Sequence, residues 1–297
     1  MNNINQIVNT FKKKGIAKGK AEILSIDEIQ KLQELILNKK SKYLEKNEVY
    51  HNIIGIDKNI DKLIEKVLTN LEIKTALEKI LGKDYLLRLC SVRYNEPNDR
   101  GLELHQDSIG EIGLMILLND QPDGSTVFFP GSQLIPTDKH LASKVSWNSL
   151  KLFNISKFFL FAGKGKAGDY FYIHKRTWHG RKPGLSKKTK MTIFISFYPV
   201  SAKRSNLCFV DPKFDKVKDK YSAVLEPNLK KIISRENYYS AIKTFDKEIN
   251  SNNALSMRLN TFDNLISHWF YLIWVILKVL LLEILFFPIF LKRFFKK

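Results

Sequence analysis

The stretch LELHQDSIGEIGLMILLND, from Leu102 to Asp120, places a histidine and a carboxylate two positions apart, immediately ahead of a run apolar enough to enter a protein core. In extended chain, residues i and i+2 project from one face, so His105 and Asp107 can reach the same object while Gln106 faces the other way. A metal ion is one such object. A solvated pair at the start of a strand is the plainer use of the same residues, and the surrounding chain has to decide.

With 297 residues, 44% of them hydrophobic, the chain can bury a substantial core and is too apolar to be disordered. Cys90 and Cys208 form neither a Cys-x-x-Cys pair nor a disulfide framework, which points to a reducing, cytoplasmic setting. No apolar stretch followed by a small-residue cleavage site opens the sequence, so a secretory signal is not expected. The formal charge of +19 predicts attraction to phosphate-bearing partners. Its carriers are lysine-rich pieces such as FKKKGIAKGK and LSKKTK. Arginine, the better reader of bases, is scarce, so an anionic membrane surface is expected ahead of nucleic acid.

The patterning changes character along the chain. SIDEIQKLQELILNKK starts with Ser25 as an N-cap and Glu28 three residues on, then repeats apolar residues at helical spacing. NIDKLIEKVLTNLEIKTALEKILG predicts one or two more helices ending at Gly82. From about residue 84 to 200, short apolar, β-branched or aromatic runs are broken by turn signals such as QPDGS, FPGS and KPGLS, the mark of an antiparallel β region. The expected organisation is mainly β with flanking helices (α+β). A body over residues 1–262 has a helical part to about 83, a β core from about 84 to 200 and a helical extension over 201–262. A hydrophobic tail, 263–297, follows.

Two later histidines compete to join His105 and Asp107. GDYFYIHKRTWHGRKPG holds His174 and His179, the second near a strand end. Two histidines and one carboxylate on one face of a metal leave positions open for substrates, as in the facial triad of non-haem Fe(II) oxygenases. A zinc hydrolase site would accept the same ligands. What separates these uses is a place for an oxo-acid cosubstrate. RKPGLSKKTKMTIFISFYP begins a strand with Lys190 and Thr192 on one face, and a cation beside a hydroxyl suits a carboxylate. Solvated lysines flanking an edge strand are the plainer alternative for Lys190.

In combination these motifs resemble the phytanoyl-CoA dioxygenase family of the Fe(II)- and 2-oxoglutarate-dependent oxygenases, over roughly Ile23 to Pro199. LELHQDS resembles the family's metal-binding strand. LLNDQPDGSTVFFPGSQL resembles the stretch ending in Pro-Gly-Ser-His, and AGDYFYIHKRTWHGRKPGLSKKTK the Gly-Asp strand leading to a His-Gly. LGKDYLLRLCSVRYNEP sits where the family has a strand after a helix.

The resemblance implies a double-stranded β-helix, a cupin-like jelly-roll, holding iron inside the barrel mouth on His105, Asp107 and His179. His174 is then a strand residue lining or supporting the site. Fe(II), 2-oxoglutarate and O2 are the implied reactants, and ascorbate is admitted as a reductant. Lys190 stands eleven positions after His179, where the family usually has arginine. With Thr192 it would hold the distal carboxylate of 2-oxoglutarate, as a point charge in place of the arginine fork. Gln133 stands where a histidine commonly follows Pro-Gly-Ser. Related halogenases replace the carboxylate at the position of Asp107 by a small residue, so its retention implies hydroxylation of an aliphatic C–H. The Lys190 and Gln133 departures also fit a non-catalytic β-helix that binds a ligand or partner, the net charge fits an oxygenase or binder of nucleic acid, and an oxygenase acting on a small metabolite is a further alternative.

WFYLIWVILKVLLLEILFFPIFLKRFFKK is almost continuously apolar from Trp269 to Leu291, near the ~20 residues needed to cross a bilayer. A single crossing with the closing KRFFKK in the cytoplasm would put the barrel on the far side, away from 2-oxoglutarate and reduced iron. A helix lying in the interface, or dipping in and returning, avoids that conflict, with Trp269, Tyr271 and Trp274 at headgroup level and Pro288 as a break. The expectation is a membrane-associated protein with its catalytic domain on the cytoplasmic side, acting on a lipid or lipid-linked substrate.

Overall fold

The computed structural model describes residues 2–38, 49–50, 53–54, 57–82, 85–97, 101–105, 112–124, 126–134, 160–181 and 188–199, with scattered helical positions between 270 and 284. Asp107, the 201–262 extension, Cys208 and most of the tail lie outside the described residues.

The helices form where their caps permit. Helix α1 (Asn2–Lys14) buries Ile7, Val8 and Phe11 on one face. Helix α2 (Ile26–Asn38) opens with the expected reciprocal cap: the Glu28 N–H donates to Ser25 Oγ at 3.3 Å and the Ser25 N–H to Glu28 Oε2 at 2.8 Å. Lys66 of α3 (Lys58–Thr69) donates to Glu28 Oε1 at 2.6 Å. That bond, with those from Ser25, holds the Glu28 carboxyl below its usual range. Asn70 ends α3 and caps α4 (Leu71–Leu81) by accepting from the Glu72 and Ile73 N–H groups. Gly82, at φ 91°, stops α4, so the segment expected to hold one or two helices holds two.

The strands make two sheets. The larger runs β1 (Ile16–Lys18), β8 (Tyr170–His174), β5 (Ile112–Leu117), β10 (Lys190–Pro199), β3 (Tyr85–Asn95), β2 (Val49–Tyr50). The smaller runs β4 (Leu102–His105), β9 (His179–Arg181), β6 (Thr126–Phe128), β7 (Phe161–Ala162). All recorded pairings are antiparallel. Strands β1 and β2 lie in the part of the chain expected to be helical. They are three and two residues long, too short to carry a periodic signal of their own.

Alternation along the strands divides the buried apolar side chains of β5, β8 and β10 between two cores. Ile112, Leu114 and Ile116, with Tyr170, Tyr172, Ile193 and Ile195, pack under the helices. Met115, Leu117, Phe171 and Ile173 point the other way, into a cluster with Phe128 of the smaller sheet and Phe194. That second cluster is the interior between the sheets, and even-numbered positions of β10 face it. Among the described residues no helix is long and apolar enough to cross a membrane. The described tail positions Phe270, Ile273, Trp274, Ile276, Leu277, Leu280, Leu281 and Ile284 are helical and exposed.

Candidate active site

His105 ends β4 and His179 begins β9, and antiparallel pairing makes them direct partners across the smaller sheet. Their ring centroids lie 4.4 Å apart. Phe128 is the partner of His179 on its other side and stacks on it at 6.2 Å and 27°. Two imidazoles converge at the wall of an apolar interior, both half-buried. Asp107, the third expected ligand, falls outside the described residues. Among those residues no cluster of three or more His, Cys, Asp or Glu assembles.

The orientation of His179 is set by its own turn. His179 Nδ1 lies 2.8 Å from the Thr177 carbonyl oxygen. A carbonyl only accepts, so Nδ1 carries the proton and Nε2 is the acceptor nitrogen of the ring, the tautomer usual for a metal-bound histidine. The residues around the turn are tied in sequence. Trp178 N–H donates to Ser132 Oγ at 2.8 Å, Phe129 N–H to the Trp178 carbonyl at 2.8 Å, and Ser132 Oγ to the Phe129 carbonyl at 2.6 Å. Thr177 Oγ1 donates to the Gly15 carbonyl at 3.0 Å. The Pro-Gly-Ser turn therefore serves as a bracket for the strand start that holds His179.

His174 is on the other face of its strand. Its ring stacks on Phe11 of α1 at 6.0 Å, and Nδ1 accepts the Arg176 N–H at 3.1 Å. It lies on the helix-packed side with Tyr170 and Tyr172 and does not line the interior. Gln133 also has a structural use here: its amide donates to the Lys12 and Lys13 carbonyls at 3.2 and 3.1 Å, closing the C-terminus of α1. Gly15 follows with φ 70°, and a Cβ there would stand 2.0 Å from Thr177 Oγ1.

Lys190 and Thr192 face the interior together, as their spacing predicts, and are 7% and 3% exposed. Neither is a solvated edge residue. Lys190 Nζ donates to Asp123 Oδ2 at 2.8 Å and to the Gly124 carbonyl at 3.3 Å. Thr192 Oγ1 accepts from the amide of Gln121 at 3.0 Å, and that same amide donates to the Met191 carbonyl at 3.1 Å. Sequence reasoning missed Gln121 and Asp123: the QPDG string reads as a turn within the stretch that resembles the one ending in Pro-Gly-Ser-His, and gives neither residue a role. Cys90 sits under the helices, where burial first and then Asp61 push its thiol up, so it is no candidate ligand or nucleophile.

No protein-family model matches the chain, and no curated protein matches it significantly. Solved structures do. AviO1 from Streptomyces viridochromogenes superposes with a TM-score of 0.52 at 16% identity, covering 67% of this chain and 96% of AviO1. HygX from Streptomyces hygroscopicus, with nickel and 2-oxoglutarate bound, gives 0.53 at 10%, covering 65% and 86%. SnoN, a non-heme α-ketoglutarate-dependent epimerase from nogalamycin biosynthesis, gives 0.53 at 14%, covering 70% and 88%. At these identities the shared property is the fold: a cupin-like jelly-roll with flanking helices.

Proposed function

We propose that this chain is an Fe(II)- and 2-oxoglutarate-dependent oxygenase of the phytanoyl-CoA dioxygenase-like kind, hydroxylating an aliphatic C–H. The observation that carries the reading is the cross-strand pairing of His105 and His179, with Nδ1 of His179 already committed to a carbonyl. Two imidazoles this close, one with its tautomer fixed by Thr177, suit a shared divalent metal, and Asp107 would add the carboxylate of a facial triad. The HygX structure with nickel and 2-oxoglutarate, and SnoN in complex with Fe3+, α-ketoglutarate and nogalamycin RO, support the same use of the fold.

Bound iron with 2-oxoglutarate and O2 supplies the oxidising power for an unactivated C–H, with ascorbate as a reductant that restores Fe(II). The protein's own contributions are positional. His105, His179 and Asp107 hold the metal; Lys190 and Thr192 take the distal carboxylate; Phe128, Met115, Leu117 and Phe171 keep the interior dry. Titrating Fe(II) and 2-oxoglutarate into the protein without oxygen tests this, through the weak visible charge-transfer band of the chelate. Absence of that band with correctly folded protein overturns the reading. The pairing of Lys190 with Asp123 favours one rival, a barrel that binds without catalysis, and the same titration followed by oxygen-dependent succinate formation separates the two.

The exposed apolar tail supports a second part of the proposal, that the enzyme works at the cytoplasmic face of an anionic membrane on a lipid or lipid-linked substrate. Phe270, Ile273, Trp274, Ile276, Leu277, Leu280, Leu281 and Ile284 all expose apolar side chains, a surface suited to contact with lipid.

A further inference from the structure

Lys190 is an interior cation that keeps a carboxylate beside it before any acid is bound. Its ammonium is 2.8 Å from Asp123 Oδ2, and the two side chains differ sharply in exposure, 9% for Lys190 and 45% for Asp123. A buried ammonium left without a partner is strongly disfavoured, whereas a half-exposed carboxylate loses little by turning to water. The loop that carries Asp123 is fixed independently of this contact. Gln121, fully buried, donates to Thr192 Oγ1 and the Met191 carbonyl, and its backbone N–H bonds to the Gly165 carbonyl at 2.8 Å. The Gly124 N–H closes the turn on the Gln121 carbonyl at 3.1 Å. The loop thus keeps its place whether or not Asp123 holds the ammonium.

We infer that Asp123 is an internal competitor for the cosubstrate, occupying the Lys190 ammonium until the distal carboxylate of a dicarboxylic oxo acid replaces it. The inference rests on the proposed oxygenase function and adds to it a residue that sets cosubstrate affinity and selectivity. A site whose cation is already neutralised admits a second carboxylate only by exchange, so the apparent affinity is reduced by the fraction of molecules in which Asp123 holds Lys190. A mono-acid that ends in a methyl group takes no part in the exchange.

Calorimetric titration of the Mn(II)-loaded full-length chain with 2-oxoglutarate and with 2-oxobutyrate tests this without turnover. Asp123→Asn and Asp123→Ser should each tighten 2-oxoglutarate by roughly three- to tenfold, the range of a partly exposed ion pair removed from competition. Binding of 2-oxobutyrate should stay within about twofold of wild type, a margin far below one tenfold affinity step. Unchanged or weaker 2-oxoglutarate binding in the variants overturns the inference alone, because Asp123 would then only orient Lys190. Equal tightening of both acids, or loss of the fold in both variants, also overturns it. Failure of the wild-type chain to bind 2-oxoglutarate overturns the oxygenase reading and this inference with it.

Discussion

His179 Nδ1 and the carbonyl oxygen of Thr177 lie 2.8 Å apart, across two residues of one turn. This contact fixes both the tautomer and the ring rotation of His179, while His174, five positions earlier, is stacked on Phe11 on the opposite face. His179→Ala should therefore abolish tight Mn(II) or Fe(II) binding. His174→Ala should keep the metal and lose about 1 kcal/mol of stability with the ring contact. Metal titration beside urea denaturation checks both, and the reverse pattern would exchange the two assignments.

If Asp107 is a metal ligand, as proposed, Asp107→Ala should stop succinate formation with little change in melting temperature, because the change removes a ligand and not a core side chain. Coupled succinate measurement and a thermal scan on the same preparation decide it. Full turnover by the variant would remove Asp107 from the site.

Lys190→Ala should raise KM for 2-oxoglutarate by about tenfold or more, the scale of a lost charge-assisted hydrogen bond, and leave KM for the primary substrate nearly unchanged. Lys190→Arg should retain most of the affinity. An equal rise for both substrates would mark Lys190 as a purely structural partner of Asp123.

Gly15→Ala should cost about 2–3 kcal/mol, since φ 70° disfavours any side chain and the new Cβ would collide with Thr177 Oγ1. Gln133→Ala should cost about 1–2 kcal/mol by uncapping α1. Both changes disturb the turn next to His179, so metal affinity should fall in parallel with stability. Chemical denaturation with and without Mn(II) measures the two together.

Deleting residues from Asn264 onward should give a protein that still decarboxylates 2-oxoglutarate but no longer sediments with anionic vesicles. Cosedimentation of full-length and shortened chains with phosphatidylserine-containing liposomes is the check. Equal behaviour of the two would detach the tail from any membrane role.

The parts of the site legible in sequence were those whose chemistry is local. Lys190 and Thr192 are an i, i+2 pair whose shared face follows from strand geometry alone, whereas the same expectation for His105 and Asp107 falls partly outside the described residues. The resemblance at His-Gly favours His179 over His174 as a ligand; the structure puts His179 beside His105 and His174 against Phe11. What could not be read depends on segments meeting at long range. Asp123 reaches Lys190 from 67 positions away, and Gln133 reaches the Lys12 carbonyl from 121. Strand β1 has too few residues to announce itself, and it acquires its identity from β8. Gln133, a departure from the family pattern when read in one dimension, is a helix cap in three.

The bond from Thr177 Oγ1 to the Gly15 carbonyl spans 162 positions, and β1 pairs with β8 across a similar interval. The turn that orients His179 can thus form only after more than half of the chain has been synthesised and has returned to its beginning. On the reading that His105 and His179 share a metal, an ion meeting the nascent chain earlier would find only one of the two imidazoles. A metal held there would be acquired late, by a chain whose first helix has already docked.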